Sequence, residues 1–185
     1  MDCINSNNHN DFKLELKRVT INDVEQLLSI GRRTFFESFS AVNTEDDMKQ
    51  YLETAFTIDK LTAEVNDTNS EFYFAVVDYA VVVGYLKLNY GQSQTEIKDN
   101  GALEIERIYV LKEYHGKSVG QVLCNKALQV AKERASDYIW LGVWERNPRA
   151  ISFYTKNGFV AFDKHIFTLG SDDQTDILMK LQLNK

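Results

Sequence analysis

The chain has 185 residues, 44% of them hydrophobic and 12% aromatic, with a formal charge of −6 at pH 7. That is enough apolar material for one domain with a substantial core. It excludes a disordered chain, offers no apolar run long enough to cross a bilayer, and argues against nucleic acid or a membrane as a partner. An acidic balance is compatible with a cationic ligand. Residues 1–11 begin MDCINSNNHN. With neither a basic start nor an apolar stretch, they read as a disordered tail and not as a secretory signal, leaving residues 12–185 as a single domain. Two cysteines, Cys3 and Cys124, form no disulfide framework and fit a reducing, cytoplasmic setting.

In chain order, Phe12 to Val19 alternates and predicts a first strand. Thr20 with Asp23 three residues on marks a helix start, and the helix continues through Val24, Leu27, Leu28, Ile30 and Gly31 towards Phe35 and Phe36. The aromatics of Thr34–Phe39 have two readings, core packing and the wall of a substrate site. Thr44 caps a second helix with Glu45, Asp46 and Asp47 in its first turn, and Thr57 starts a third through Val65. Glu71–Tyr79 and Ala80–Tyr90 read as consecutive strands, with Gly84 marking a bulge or a close backbone approach. Gly91–Gly101 is a polar loop. Tyr138–Val143 is a buried-type strand. Asn147-Pro148-Arg149 opens a helix to Lys156 that Asn157-Gly158 ends, and Phe159–Leu169 with Thr175–Leu183 form a closing antiparallel pair.

The stretch that carries chemistry lies between, from Leu103 to Leu128. Leu103, Ile105 and Arg107 alternate with Glu104, Glu106 and Ile108, a strand pattern that runs into Tyr109 and Val110. After a turn at Tyr114–Gly120, Val119, Val122, Leu123, Ala127, Leu128 and Ala131 follow at helical spacing. The first N–H groups of a helix lack internal partners and its dipole favours negative charge, so a diphosphate is expected on His115, Gly116, Lys117, Ser118, Val119, Gly120 and Gln121. On its own the turn reads equally as a plain tight turn. It lacks the Gly-Lys-Ser/Thr ending of a Walker loop and the acidic residue of a dinucleotide fingerprint.

The order of elements around that turn resembles the GCN5-related N-acetyltransferase (GNAT) superfamily. The superfamily's Gln/Arg-x-x-Gly-x-Gly/Ala window falls on His115–Gly120; the last glycine matches, His115 replaces the Gln or Arg, and Ser118 replaces the middle glycine. Asn147-Pro148-Arg149-Ala150-Ile151-Ser152-Phe153-Tyr154 through Gly158-Phe159 resembles the superfamily's Asn-x-x-Ala-x-x-Phe-Tyr-x-x-x-Gly-Phe segment. Three flanking stretches, Thr34–Phe39 with Asn43–Met48 and Tyr51-Leu52, Leu103–Val110, and His165–Gly170 with Gln174–Asp176, are similar to the PaiA-type spermidine/spermine N-acetyltransferases. The resemblance implies an α/β GNAT fold, a mixed, mostly antiparallel twisted sheet with splayed central strands flanked by helices. It implies acetyl-CoA as co-substrate and a small-molecule amine, a polyamine such as spermidine or spermine, as acceptor. It also implies that Asn147 holds the pantetheine region, that Tyr154 points at the sulfur, and that a homodimer is possible.

On this scheme backbone N–H groups at Ile108, Tyr109 and Val110 polarise the acetyl carbonyl where the central strands part. Tyr154 is the general acid for the departing sulfur, against the alternative of a core tyrosine with a satisfied hydroxyl. Glu106 is the first candidate for the base and Glu104 the second, against a solvated strand face paired with Lys or Arg. His165 sits either at the acceptor mouth or in packing against the last strands. Asp172, Asp173 and Asp176 either attract amines or form a solvated loop. Cys124 reads as a buried helix residue sooner than a nucleophile. His9, His115 and His165 have no ligand spacing, so no metal is expected. The alternatives are acetylation of a protein N-terminus and a non-catalytic coenzyme A-binding regulator.

Overall fold

The computed structural model describes residues 12–169 and 172–183; the tail expected over 1–11 lies outside them, as does Gly170. The elements are β1 (Leu14–Arg18), α1 (Val24–Phe39), α2 (Glu45–Ala55), α3 (Ile58–Asn66), β2 (Ser70–Val77), β3 (Val81–Tyr90), β4 (Ala102–Val110), α4 (Val119–Glu133), β5 (Tyr138–Trp144), α5 (Pro148–Lys156), β6 (Val160–Leu169) and β7 (Asp172–Gln182). The helix starts fall where side-chain caps were expected. Thr44 Oγ1 accepts from Asp47 N–H at 3.1 Å and Thr57 Oγ1 from Lys60 N–H at 3.2 Å, each worth about 1 kcal/mol. β7 starts at Asp172, three residues before the expected Thr175.

The strands form one sheet in the order β1-β2-β3-β4-β5-β7-β6. Every neighbouring pair is antiparallel except β4–β5. α4 and α5 cover one face, where Leu123, Ala127 and Tyr154 pack on Leu86, Leu103, Ile105, Ile139 and Leu141. On the other face, Leu27 and Ile30 of α1 and Leu61 of α3 pack on Phe72, Phe74 and Tyr85. Burial of each such side chain contributes about 1.5–3 kcal/mol.

One expectation about β4 fails in its register. Lys87 pairs with Arg107 but Leu88 pairs with Ile105, so β4 carries an extra residue at Glu106. A bulge breaks the two-residue alternation. Arg107 therefore does not share a face with Leu103 and Ile105. It joins Glu106 on the α1–α3 side, and Ile108 and Val110 take over the α4 side.

Gly84 makes the close approach expected of it. A Cβ there would lie 2.6 Å from Tyr109 O and 3.2 Å from Val110 Cα, both backbone atoms of β4. Gly84→Ala is therefore expected to lose about 1–3 kcal/mol in urea unfolding, since neither strand can turn a side chain aside. An unchanged midpoint would mean that β3 and β4 are not locked together at this point.

Candidate active site

β4 and β5 pair over only three residues, Ala102 with Tyr138, Leu103 with Ile139 and Glu104 with Trp140. Both strands run on, β4 to Val110 and β5 to Trp144, without pairing again. Ile108, Tyr109 and Val110 stay paired to β3 through Leu86, Tyr85 and Gly84. Their other backbone edge faces the opening. Past that edge stands the start of α4. Its first backbone bond to the preceding loop runs from Val122 N–H to Ser118 O at 3.1 Å, so the N–H groups of Val119, Gly120 and Gln121 precede the hydrogen-bonded ladder. Ser118 adopts φ +63°, the left-handed conformation of the glycine it replaces, and Gly116 adopts +79°. A Cβ at Gly116 or Gly120 would meet nothing within 4 Å.

The side chains of this turn do other work. His115 contacts Val110 O through Nε2 at 2.8 Å, and Arg149 NH1 lies 2.5 Å from His115 Nδ1. Since Arg149 only donates, Nδ1 is the acceptor and Nε2 carries the hydrogen given to Val110 O. Burial, with Arg149 adding to it against the Val110 bond, holds the imidazole pKa below its usual value, in keeping with a neutral ring. Lys117 lies over the Tyr114 ring, 5.0 Å from its centroid. Gln121 Nε2 donates to Asn157 Oδ1 at 2.7 Å, tying α4 to the end of α5. Asn147 caps α5, its Oδ1 accepting from Ala150 N–H at 3.0 Å, which leaves the amide NH2 uncommitted among the described residues.

Tyr154 is buried among Phe153, Phe159 and Cys124, and no hydrogen bond among the described residues engages its hydroxyl. Burial, reinforced by Cys124, pushes its pKa well up, so the phenol keeps its proton at neutral pH and is suited to donate it. The Cys124 thiol is pushed up to about 11 by burial. That leaves it protonated and a poor nucleophile.

The two carboxylates expected to act as bases are both committed. Glu104 is enclosed by Thr95 N–H and Oγ1–H and by Asn89 Nδ2. Glu106 receives Lys87 Nζ at 2.6 Å, Arg107 NH2 at 3.1 Å and Asn89 Nδ2 at 2.5 Å, while Glu64 of α3 holds the far side of both cations. Burial alone would raise its pKa, but Arg107 and Lys87, with hydrogen bonds from Lys87 and Asn89, outweigh that and hold it down at about 2. A carboxylate so stabilised is a weak proton acceptor at neutral pH, which weighs against Glu106 as the base and favours its other reading, a strand carboxylate paired with Lys and Arg.

The aromatic run on α1 divides between its two readings. Phe35 is core, whereas Phe39 lies 6.4 Å from Tyr109 and 6.1 Å from Trp144, bridging the two parted strands. On the same side, Asp176 of β7 lies opposite Trp144 of β5 and beside Gly142, and His165 pairs with Glu96 at 3.2 Å. Asp173 is exposed.

Residues 28–159 match the sequence profile of the acetyltransferase (GNAT) family. The chain belongs to that family. An uncharacterized N-acetyltransferase of Lactobacillus delbrueckii subsp. lactis is 39% identical over 170 residues, 92% of this chain and 98% of that protein. The spermidine N(1)-acetyltransferase of Thermoplasma acidophilum is 27% identical over 165 residues, 87% of this chain and 94% of that one. The crystal structure of the PaiA N-acetyltransferase from T. acidophilum, in complex with coenzyme A, shares the fold with a TM-score of 0.75 at 23% identity, covering 92% of this chain and 99% of that chain. The chain is thus an N-acetyltransferase with the GNAT fold, and acetyl-CoA is its acyl donor.

The start of α4 offers N–H groups that precede the helical ladder and glycines with open space beside them, and β4 offers a strand edge unpaired with β5 past Glu104, features able to receive an anion and an amide. Among the described residues no cluster of three His, Cys, Asp or Glu forms a metal site, and no helix is long and apolar enough to cross a membrane. Gly120→Ala separates fold from binding. With no atom in the way, stability should rise by up to about 1 kcal/mol. With the diphosphate on this turn, as expected from the sequence, the added methyl group obstructs it, and titration calorimetry should show acetyl-CoA affinity several-fold weaker. Unchanged affinity would place the diphosphate elsewhere.

Proposed function

We propose that the chain transfers the acetyl group of acetyl-CoA to a primary amine of a polyamine such as spermidine or spermine, by direct attack within the opening between β4 and β5. Acetyl-CoA supplies an activated acyl carbon and a thiolate leaving group. The N–H groups of Val119, Gly120 and Gln121, with Gly116, Lys117, Ser118 and His115 around them, hold the diphosphate. The Asn147 amide holds the pantetheine. Backbone N–H groups along Ile108–Val110 polarise the thioester carbonyl. Tyr154 gives its proton to the departing sulfur. Glu106 keeps the bulge in place and takes no part in proton transfer.

The observation that carries the acceptor class is the chemistry of the α1–α2 side of the opening. Phe39, Tyr109 and Trp144 cluster on this side, and Asp176 pairs with Trp144 across β5 and β7. Aromatic faces and a carboxylate attract an ammonium. Similarity over 87% of the chain to the T. acidophilum spermidine N(1)-acetyltransferase supports the same class. A cytoplasmic location belongs to this proposal. So does a homodimer through the free edge of β6, where Val160 and Ile166 are exposed.

Steady-state assays with acetyl-CoA and spermidine or spermine test the reading. Acetylation of a peptide amine with none of either polyamine would discard it. Tyr154→Phe is expected to lower kcat by about 100-fold with little change in acetyl-CoA affinity. Glu106→Gln should instead leave Lys87 and Arg107 short of a partner, lower the melting temperature and keep the wild-type pH profile. Loss of the acidic limb of that profile in Glu106→Gln would restore Glu106 as the base.

A further inference from the structure

We propose, on the basis of the amine acetylation put forward above, that Asp176 is the carboxylate that meets the acceptor ammonium and takes its first proton. Asp176 pairs with Trp144, the last residue of β5, so it stands level with the open end of β5, one strand away from the opening. Its neighbour on β5 is Gly142. A Cβ there would lie 3.4 Å from Asp176 Oδ2. Gly142 is exposed although it sits within an interior strand between Leu141 and Val143, which are only 1% and 5% exposed. Gly142 is thus open to solvent between two buried neighbours, and the Asp176 carboxylate lies beside it. Any larger residue at 142 would crowd the carboxylate.

Asp176 also differs from the other carboxylates inside the protein. Glu71 is held by Arg18, Arg134 and Tyr73; Glu104 by Thr95 and Asn89; Glu106 by Lys87, Arg107 and Asn89. No hydrogen bond or ion pair among the described residues reaches the Asp176 carboxylate. A half-buried carboxylate without a donor is costly, and an ammonium supplies the donor. Phe39 stands between the Tyr109 and Trp144 rings, 6.4 Å and 6.1 Å away, and so supplies aromatic surface on this side. Burial raises the pKa of the Tyr51 hydroxyl on α2; Arg107 opposes this, and Glu106, Glu64 and Asp176 add to it, so Asp176 shares this side with the paired charges of the ion network. Gln174, two residues before Asp176, donates to Asn43 Oδ1 at 2.8 Å and so fastens the α1–α2 connection over this end of β7. The titratable groups about Asp176 are His165 on β6, itself paired with Glu96, and Tyr51 on α2. Burial raises the Asp176 pKa to about 6 against a small opposing effect of His165, which suits a group that must release a proton near neutrality.

The proton balance is complete. An ammonium loses two protons in becoming an amide. The first goes to Asp176 and from there to water. The nitrogen lone pair then forms the bond to the acyl carbon, the carbon–sulfur pair leaves on sulfur, and Tyr154 protonates it. The second nitrogen proton leaves through water and an equivalent one restores Tyr154.

Asp176→Asn tests the role in the full-length protein. Rates are measured against pH with acetyl-CoA and a panel of spermidine, spermine, butylamine and a glycyl peptide. The variant is expected to lose about 100-fold in kcat/KM on whichever amine the wild type acetylates fastest. The wild-type rate should fall as pH drops through about 6, and this limb should be absent from the variant. Affinity for acetyl-CoA should stay the same. A loss of less than tenfold, or an acidic limb that persists, overturns the proposal. Should only the peptide be acetylated, the polyamine reading falls while Asp176 is judged on the peptide. Folding is checked by melting. The folded pKa lies above the unfolded one, so wild-type stability declines as pH rises through about 6. The asparagine variant should therefore melt higher than wild type above that pH and alike at pH 4. Should no amine turn over, the Asp176 carboxyl resonance in 13C-aspartate-labelled protein decides. It should shift when butylamine or spermidine is added to the coenzyme A complex; a resonance that stays put refutes contact.

Discussion

Two consecutive charged residues, Glu106 and Arg107, share one face of β4, and the rest of the site follows from how that is made possible. A regular strand would send them to opposite faces. The extra residue at 106 turns both towards α3, where Lys87 and Glu64 complete a buried four-residue ion network and Asn89 fills a remaining acceptor position on Glu106. Buried charges are tolerable only when mutually paired, so the network and the bulge depend on each other. A bulge also bends its strand. Here it comes just past the last β4–β5 pair, where the two strands begin to part. Charge pairing on one side of the sheet thereby holds open a binding edge in its middle.

The parted strands give the molecule two chemically different sides. Towards α4 and α5 the opening offers backbone N–H groups, glycines and a phenol in an apolar wall, a setting for a large anion and a sulfur. Towards α1 and α2 stand aromatic rings and the Asp176 carboxylate. Opposite charges thus have opposite approaches. On the proposed placement, a cation drawn to Asp176 does not compete for the helix end, and a diphosphate is not repelled at its own.

Much of this could be read from residue order. Capping threonines, the glycine-bearing turn before Val119 and the Asn147-to-Phe159 segment each carry a local physical signal, and the elements stand where those signals put them. What could not be read depended on partners distant in the chain. The strict alternation of Leu103 to Ile108 concealed the bulge, because only the register with β3 reveals an unpaired residue. Glu106 looked like a free base because the cations that neutralise it come in part from β3 and the counter-charge from α3. Asp176 was one of three acidic residues until β5 placed Gly142 beside it. A lone glycine inside the bulky stretch Tyr138–Trp144 was the available hint, since a strand rarely gives up a side chain without reason.

The bridge through His115 has a consequence for what that position tolerates. Its ring accepts a hydrogen from Arg149 on one nitrogen and gives one to Val110 O from the other, so α5 and the bare edge of β4 are joined by a single neutral group that is donor and acceptor at once. A carboxamide has the same pair of functions, which makes glutamine chemically equivalent there. An ammonium has no acceptor and would meet the guanidinium head-on. Acidification has the same effect on the imidazole: protonated, it would set two like charges against each other and unfasten the helix from the strand.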